Sequence, residues 1–241
     1  MRGRFLIGSN ELVTERNIYA DKSSIVLDWL LKVGIEKNSF SLREVAKNCD
    51  VSVGLVQRVF EILVLNGFLQ TEGVRTAKRF YIQKPHLLLK SWMEHYSIIK
   101  KCRMWTYHSG FSERTEILKA LEKSKLKSNV AFALHSAAEA HGCKNTNLQT
   151  LELYMLEPSI RPKLEEILQL EPQERGYEVL LIKPYYKSLL NQDINLGKPI
   201  RTSPILLAYL DLYHFPLRGQ EQAEFMAKRI PSLKRIYKAT K

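Results

Sequence analysis

Cysteine is scarce in this 241-residue chain, with only Cys49, Cys102 and Cys143, all far apart. Thiols so separated build neither a disulfide framework nor the paired ligands of a zinc site. Each is expected to be a small buried thiol. Long apolar runs are missing too: no stretch approaches the ~18 to 20 residues that a membrane span needs. The opening Met1-Arg-Gly-Arg-Phe-Leu-Ile7 has an apolar stretch of only three residues, too short for a secretory signal, so the expected location is the cytoplasm. The chain also lacks a G-x-x-x-x-G-K-[ST] loop, a G-x-G-x-x-G turn and a G-x-S-x-G elbow. No repeat or low-complexity tract is present. What remains is a chain with 45% hydrophobic residues, enough to bury real cores in one large or two ordinary domains.

Acidic residues are outnumbered, giving a formal net charge of +12, and the excess is uneven. Residues 1–92 carry 14 Lys/Arg against 9 Asp/Glu, residues 100–127 carry 8 against 3, and residues 228–241 carry 6 against none. Between them, residues 128–227 are slightly acidic, with 9 against 12. This distribution favours a polyanionic partner.

Helix signals are clearest near the start. Ser23-Ser24 reads as an N-cap pair for Ile25 to Val33, stopped by Gly34. Ser41 and Glu44 make an S-x-x-E capping box for a short helix ending near Asn48. Ser52 caps a third helix, on which Leu55, Val56, Val59, Phe60 and Leu63 form one apolar face. Gln57, Arg58 and Glu61 fall on the other side, and Asn66-Gly67 ends the helix with a left-handed glycine. Two β-favouring runs follow, Phe68 to Glu72 and Lys78 to Ile82, joined by Gly73 to Ala77. Helix, turn, longer helix and basic hairpin come in the order of a winged helix-turn-helix.

Such a module reads double-stranded DNA through the first turns of its third helix. Ser52, Val53, Gln57 and Arg58 lie there, with Gln57 suited to adenine and Arg58 to guanine or a phosphate. Arg75, Lys78 and Arg79 of the wing would follow the backbone or enter the neighbouring minor groove. Arg43 and Lys47 of the second helix would meet phosphates.

The expected fold class is α+β. Residues 1–85 form the winged domain, with 1–20 a loose arm; residues 86–104 are a helical connector, read as one helix from His86 to about Lys101. Residues 105–241 form a mixed α+β domain. Its strand candidates are Val130 to Leu134, Leu151 to Met155 and Val179 to Ile182. Helices are expected over Ser112 to Lys125, Ser136 to His141 and Arg161 to Leu168. Two more finish the chain: one with Ser203 as N-cap and Pro204 in its first turn, and one over Gln220 to Arg229 after Pro216.

No catalytic constellation emerges, so the expectation is a non-enzyme without metal or other cofactor. His135-Ser136 and His141-Gly-Cys143 lack the spacing of established ligand motifs and read as core or surface histidines. Glu152 alternates with Leu151 and Leu153, but no lysine follows two residues later as a metal-dependent nuclease would want. Asp211 sits near the end of an apolar helix, a poor place for a negative charge. It is expected to accept backbone hydrogen bonds or to pair with Arg218, fastening the last two helices.

Several stretches together resemble transcriptional regulators of the AbiEi antitoxin type, from abortive-infection toxin–antitoxin systems. They are the winged N-terminus, Leu87 to Tyr96, Phe132 to Gly142, Leu153-Tyr154-Met155, and the closing Ser203-Pro204…Leu210-Asp211-Leu212…Arg218-Gly219…Ala223 pattern. The resemblance spans about residues 24 to 226 and is most specific in the closing pattern. It implies a repressor binding inverted repeats at its own promoter, with a C-terminal regulatory domain that counters a nucleotidyltransferase-like toxin without a stable complex. From charge, residues 100–127 fit a second DNA-contacting surface. Two alternatives stay open on the residues: a DNA-targeted nuclease, and a plasmid or phage replication or partition factor.

Overall fold

A computed structural model describes residues 17–74, 77–191 and 199–238. Most of the expected loose arm, residues 1–16, and Arg75 of the hairpin lie outside the described residues. The end of that arm is packed rather than loose. Ile18 and Tyr19 are buried, the Tyr19 hydroxyl meets Ser91 Oγ at 2.7 Å, and the Tyr19 carbonyl accepts from the Tyr186 hydroxyl at 2.9 Å.

Helix α1 spans Asp21–Lys32. It begins two residues before the expected Ser23-Ser24 cap: both serines are buried inside the helix and Ala20 precedes it. Asp21 in the first turn suits the positive end of the helix dipole, and Ser24 Oγ satisfies itself on the Asp21 carbonyl at 2.5 Å. Helix α2, Leu42–Cys49, starts with the expected capping box, Ser41 Oγ accepting from the Glu44 N–H and Glu44 returning the contact to Ser41 N–H. Helix α3, Val53–Leu65, is capped by Ser52 Oγ, which accepts from the Leu55 N–H at 3.2 Å. It ends where Gly67 takes φ +70°, the left-handed region that glycine enters without a Cβ clash.

Strands β1, Leu69–Glu72, and β2, Arg79–Ile82, pair antiparallel with Glu72 opposite Arg79. Phe40 joins the hairpin by a two-way backbone bridge to Phe80 at 2.9 Å. Trp29, Phe40, Phe60 and Phe80 then run edge-to-face through the middle, with centroid separations of 5.3, 5.8 and 4.8 Å. These rings come from α1, the approach to α2, α3 and β2. One aromatic column therefore fixes the angle between the helices and the hairpin.

The stretch expected as a single connecting helix is broken. Helix α4 is Pro85–His95, with the proline at its first position, and α5 is only Ile98–Lys101. Tyr96 and Ser97 between them are extended, which sends the Tyr96 side chain into the core of the second half. At Arg103 the chain is already in a strand, β3, Arg103–Ser109, which has no counterpart in the expected strand set.

The second half is a six-stranded mixed sheet in the order β6-β3-β7-β5-β4-β8. Its other strands are β4 Val130–Phe132, β5 Leu151–Met155, β6 Leu170–Pro172, β7 Val179–Lys183 and β8 Arg201–Thr202. The expected strands at 130, 151 and 179 are all present. β5 and β7 form the central parallel pair and are almost wholly buried, as suits near-continuous apolar runs.

Between the strands lie α6 Arg114–Lys123, α7 Leu134–Ala140, α8 Arg161–Ile167 and α9 Lys187–Leu190. The chain closes with α10 Ile205–Tyr213, α11 Gly219–Arg229 and a third helix that the sequence reading lacked, α12 Pro231–Lys238. On β5, Glu152 and Tyr154 turn toward α7 and α10. On β3, Tyr107 faces α8 and donates to Glu165. Helices therefore cover both faces of the sheet. The fold as a whole is mixed α+β, and among the described residues no helix is long and apolar enough to cross a membrane.

Candidate nucleic-acid interface

The apolar stripe of α3 turns inward: Val56, Val59, Phe60 and Leu63 are buried, while Leu55 is only half-buried. Gln57, Arg58 and Glu61 face solvent, and Val53 at the first turn is 43% exposed. Ser52 acts as the helix cap, so its hydroxyl already accepts one backbone N–H. Among the described residues Arg58 has no hydrogen-bond or ion-pair partner. Gln57 is held, its side-chain amide donating to Glu61 Oε1 at 3.0 Å.

Glu61, exposed on the same polar side and bonded to Gln57, belongs with the candidate residues. A carboxylate at i+4 from Gln57 fixes the amide's orientation and can itself accept from a cytosine amine. The spacing Gln57-x-x-x-Glu61 was the available signal.

On the hairpin, Lys78 and Arg79 are exposed. Lys78 Nζ lies 5.4 Å from the Phe80 ring centre, and Arg79 Nε donates to Ser39 Oγ at 3.3 Å. Both therefore stand on the side of the hairpin tied to the start of α2. A cavity of about 380 Å³ separates α3 from β2, lined by Gln57, Phe60, Glu61, Lys78 and Phe80 among others. The polar side of α3 and the basic hairpin strand thus share one groove. Arg43 and Lys47 of α2 are exposed as well.

A second basic region lies on the sheet. Arg103 and Lys183 sit opposite each other on β3 and β7, both exposed. Trp105 is flanked by the guanidinium groups of Arg103 at 5.0 Å and Arg161 at 4.9 Å, and Lys101 lies over Tyr185. Lys119, Lys123, Lys125 and Lys127 are exposed on and after α6, whereas Arg114 is engaged with Glu139 at 2.9 Å.

The closing pattern Ser203 to Ala223 proves to be a packing motif. Asp211 is fully buried. Its Oδ1 accepts from the Tyr96 hydroxyl at 2.7 Å and its Oδ2 from the Tyr154 hydroxyl at 2.6 Å. Burial drives its carboxyl up from 3.8 to about 7, against the downward pull of the two tyrosine hydrogen bonds. Asp211 thus fastens α10 to β5 and to the α4–α5 junction, and not to Arg218 as expected. The Arg218 guanidinium is exposed and instead makes a bidentate pair with Glu221 at 2.6 and 2.8 Å. An exposed guanidinium satisfied locally has no reason to enter a desolvated site.

Ser203 does not cap α10 through its side chain. Pro204 immediately precedes the helix, its carbonyl accepting from the Ala208 N–H. Ser203 instead lends its backbone, accepting from His141 Nε2 at 2.8 Å and donating to the Phe132 carbonyl at 3.0 Å. Gly219 is needed for a close approach: a Cβ there would stand 2.3 Å from the Leu212 carbonyl oxygen.

A family model described as a transcriptional regulator, AbiEi antitoxin, of a type IV toxin–antitoxin system matches residues 81–231. The chain belongs to the AbiEi antitoxin family. No curated protein matches the chain, and no solved structure does. The AbiEi match begins at Tyr81 in β2, so it covers the sheet and its helices but not α1 to α3.

Within the AbiEi region the other chemistry-bearing side chains hold structure together. Glu152 is fully buried and accepts from the Ser136 N–H at 2.9 Å and hydroxyl at 2.6 Å, from Thr150 Oγ1 at 2.5 Å and from the Tyr177 hydroxyl at 3.3 Å. Both carboxylate oxygens are engaged, tying β5 to α7. His135 Nε2 meets the Leu217 carbonyl at 2.7 Å.

Proposed function

We propose that residues 21–82 are a winged helix-turn-helix that binds double-stranded DNA, making the chain a sequence-specific regulator within its AbiEi family. The observation that carries this reading is the polar side of α3. Ser52, Val53, Gln57, Arg58 and Glu61 stand in solvent at the N-terminal turns of a helix whose opposite side is buried. A helix presented in this way fits the major groove with its first turns at base edges. Lys78 and Arg79, with Arg75 in the turn, would then reach the flanking backbone or minor groove, and Arg43 and Lys47 the phosphates.

The domain division proposed is a DNA-binding domain to residue 85, a connector over 86–104 and a regulatory domain over 105–241. In this reading the protein represses its own promoter by binding inverted repeats. It also counters a nucleotidyltransferase-like toxin without a stable complex. The basic stretch of residues 100–127, with Arg103 and the lysines of α6 exposed, serves as a second contact with the duplex.

The test is a gel-shift titration at fixed salt with the chain's own promoter DNA. Gln57→Ala with Arg58→Ala should weaken specific binding by about one and a half to four powers of ten, at about 1 to 3 kcal/mol for each of the two lost bidentate base contacts. Thermal stability should stay nearly constant because both side chains are solvated. Lys47→Ala should weaken binding to every sequence alike and lower the salt dependence. Unchanged affinity of the double variant would end the assignment.

A further inference from the structure

The exposed side of α3 carries an acid on the surface proposed to meet a polyanion. Gly54, Arg58, Glu61 and Leu65 run down its middle at helical spacing, all exposed, opposite the buried stripe of Val56, Val59, Phe60 and Leu63. We propose that Glu61 determines the sequence specificity of this helix by demanding a cytosine amine in the major groove. This role rests on the DNA-binding reading of the winged domain.

Arg58 stands three residues before Glu61, and Lys78 lines the groove beside it. Among the described residues Glu61 nevertheless forms no ion pair, and nothing bonds its Oε2. Its one partner there is the Gln57 amide, which donates to Oε1 at 3.0 Å. The charge is thus neither neutralised nor saturated. Phosphates repel such a carboxylate, so a duplex docked on this side must offer it a donor. Along the major-groove edge only cytosine N4 and adenine N6 donate. Guanine N7 and O6 and thymine O4 are acceptors, which a carboxylate rejects.

Its neighbours on the helix favour cytosine over adenine. With one N–H given to Glu61, the Gln57 amide keeps its oxygen and its other N–H, the pair that adenine N6 and N7 match. Arg58 suits guanine O6 and N7, and the cytosine paired with that guanine presents its N4 beside O6. Side chains three residues apart on a helix are neighbours, so Arg58 and Glu61 fit the two bases of one G·C pair or of adjacent pairs. Gly54, one turn before Arg58, stands in open space: a Cβ there would meet nothing within 4 Å. Glycine weakens a helix and packing does not require it here, whereas bare backbone lets base edges approach closely.

The test is selection of bound duplexes by the full chain from a library randomised around its own promoter sequence, followed by gel-shift titration at fixed salt. The parent should require cytosine at one fixed position of its site. Exchanging that C·G pair for T·A, which puts an acceptor where the amine stood, should weaken binding about five- to 150-fold. Glu61→Gln should move the preference at that position from cytosine to adenine, the base that a glutamine amide matches. Glu61→Ala should flatten the preference there to within about twofold. It should also strengthen binding to unrelated duplex, because one negative charge leaves the interface. Glu61 is exposed, so both variants should fold as the parent does. Glu61 loses this role if the parent's motif has no cytosine requirement, or if both variants select that motif unchanged; either result leaves the DNA-binding reading standing. A parent that selects no sequence at all overturns that reading as well.

Discussion

Asp211 offers the sharpest test of how the second half is held together. Its carboxyl is fully buried, with two tyrosine hydroxyls as its only hydrogen-bond donors among the described residues and no cation paired with it. Burial lifts its folded-state value to about 7 from 3.8. The folded chain therefore binds more protons than the unfolded chain between those two values. Stability from this group is fully present below pH 3.8 and is lost as the pH rises toward 7 and just beyond. The full span corresponds to about 4 kcal/mol, of which nearly 3 falls between about pH 5 and about pH 8.

Asp211→Asn removes the titration while keeping one acceptor for Tyr96 and a group of similar shape. The measurement is urea unfolding of parent and variant at several pH values across that window. Other titrating groups are shared by the two proteins and cancel in the difference. The variant should be the less stable protein near pH 5 and should gain on the parent by about 3 kcal/mol by pH 8. A difference that stays flat within about 0.5 kcal/mol would refute the reasoning. It would mean that the hydrogen bonds from Tyr96 and Tyr154 outweigh burial and keep the carboxylate ionised throughout.

Three further substitutions separate packing from charge. Gly219→Ala should destabilise by about 1 to 3 kcal/mol in the same assay, because its Cβ would collide with the Leu212 carbonyl and Phe215. Arg218→Ala, one residue earlier and exposed, should change stability by no more than about 0.5 kcal/mol. A large loss there would revive the expected Asp211–Arg218 pair. Phe60→Ala should cost about 3 to 5 kcal/mol by opening the aromatic column between Phe40 and Phe80. The tilt of the hairpin against α3 should loosen with it, which amide exchange at Phe80 would report.

The N-terminal half was legible because its signals are local. The Ser41–Glu44 box, the Ser52 cap, the inward stripe of α3 and the Gly67 stop each depend on residues within one turn of one another. Ser23-Ser24 misled for the same reason: serine is a common cap, and nothing nearby in sequence says that α1 buries that side against the rest of the chain. Strand β3 escaped notice because its exposed Arg103 and His108 interrupt the expected apolar alternation. That strand is set by pairing with β6 and β7, more than sixty residues away. The partners of Asp211 were out of reach for a related reason, since Tyr96 and Tyr154 lie 115 and 57 residues away. A buried carboxylate announces that it needs donors, but sequence spacing cannot say which tyrosines supply them. The cation-flanked Trp105 joins β3 to α8 in the same long-range way.

The two halves are not joined through a loose tether. Trp92 of α4 donates to the Tyr186 hydroxyl at 2.7 Å, and the Tyr186 hydroxyl in turn donates to the Tyr19 carbonyl at 2.9 Å. Asp21 at the start of α1 takes both donors of Ser188 at the start of α9. Tyr96, at the end of α4, is held by Asp211. The helix that follows the hairpin is thus fixed at both ends, and α1, which backs α2 and α3, is fixed by the segment around α9. A shift of α10 or β5 would be felt at Tyr96 and along α4 up to the Trp92–Tyr186–Tyr19 chain, because close-packed elements move as bodies rather than deform. Asp211→Asn therefore carries a second expectation beyond stability. If these contacts couple the halves, amide exchange in α4 should change with the variant, whereas coupling confined to the sheet would leave α4 protection as it is in the parent.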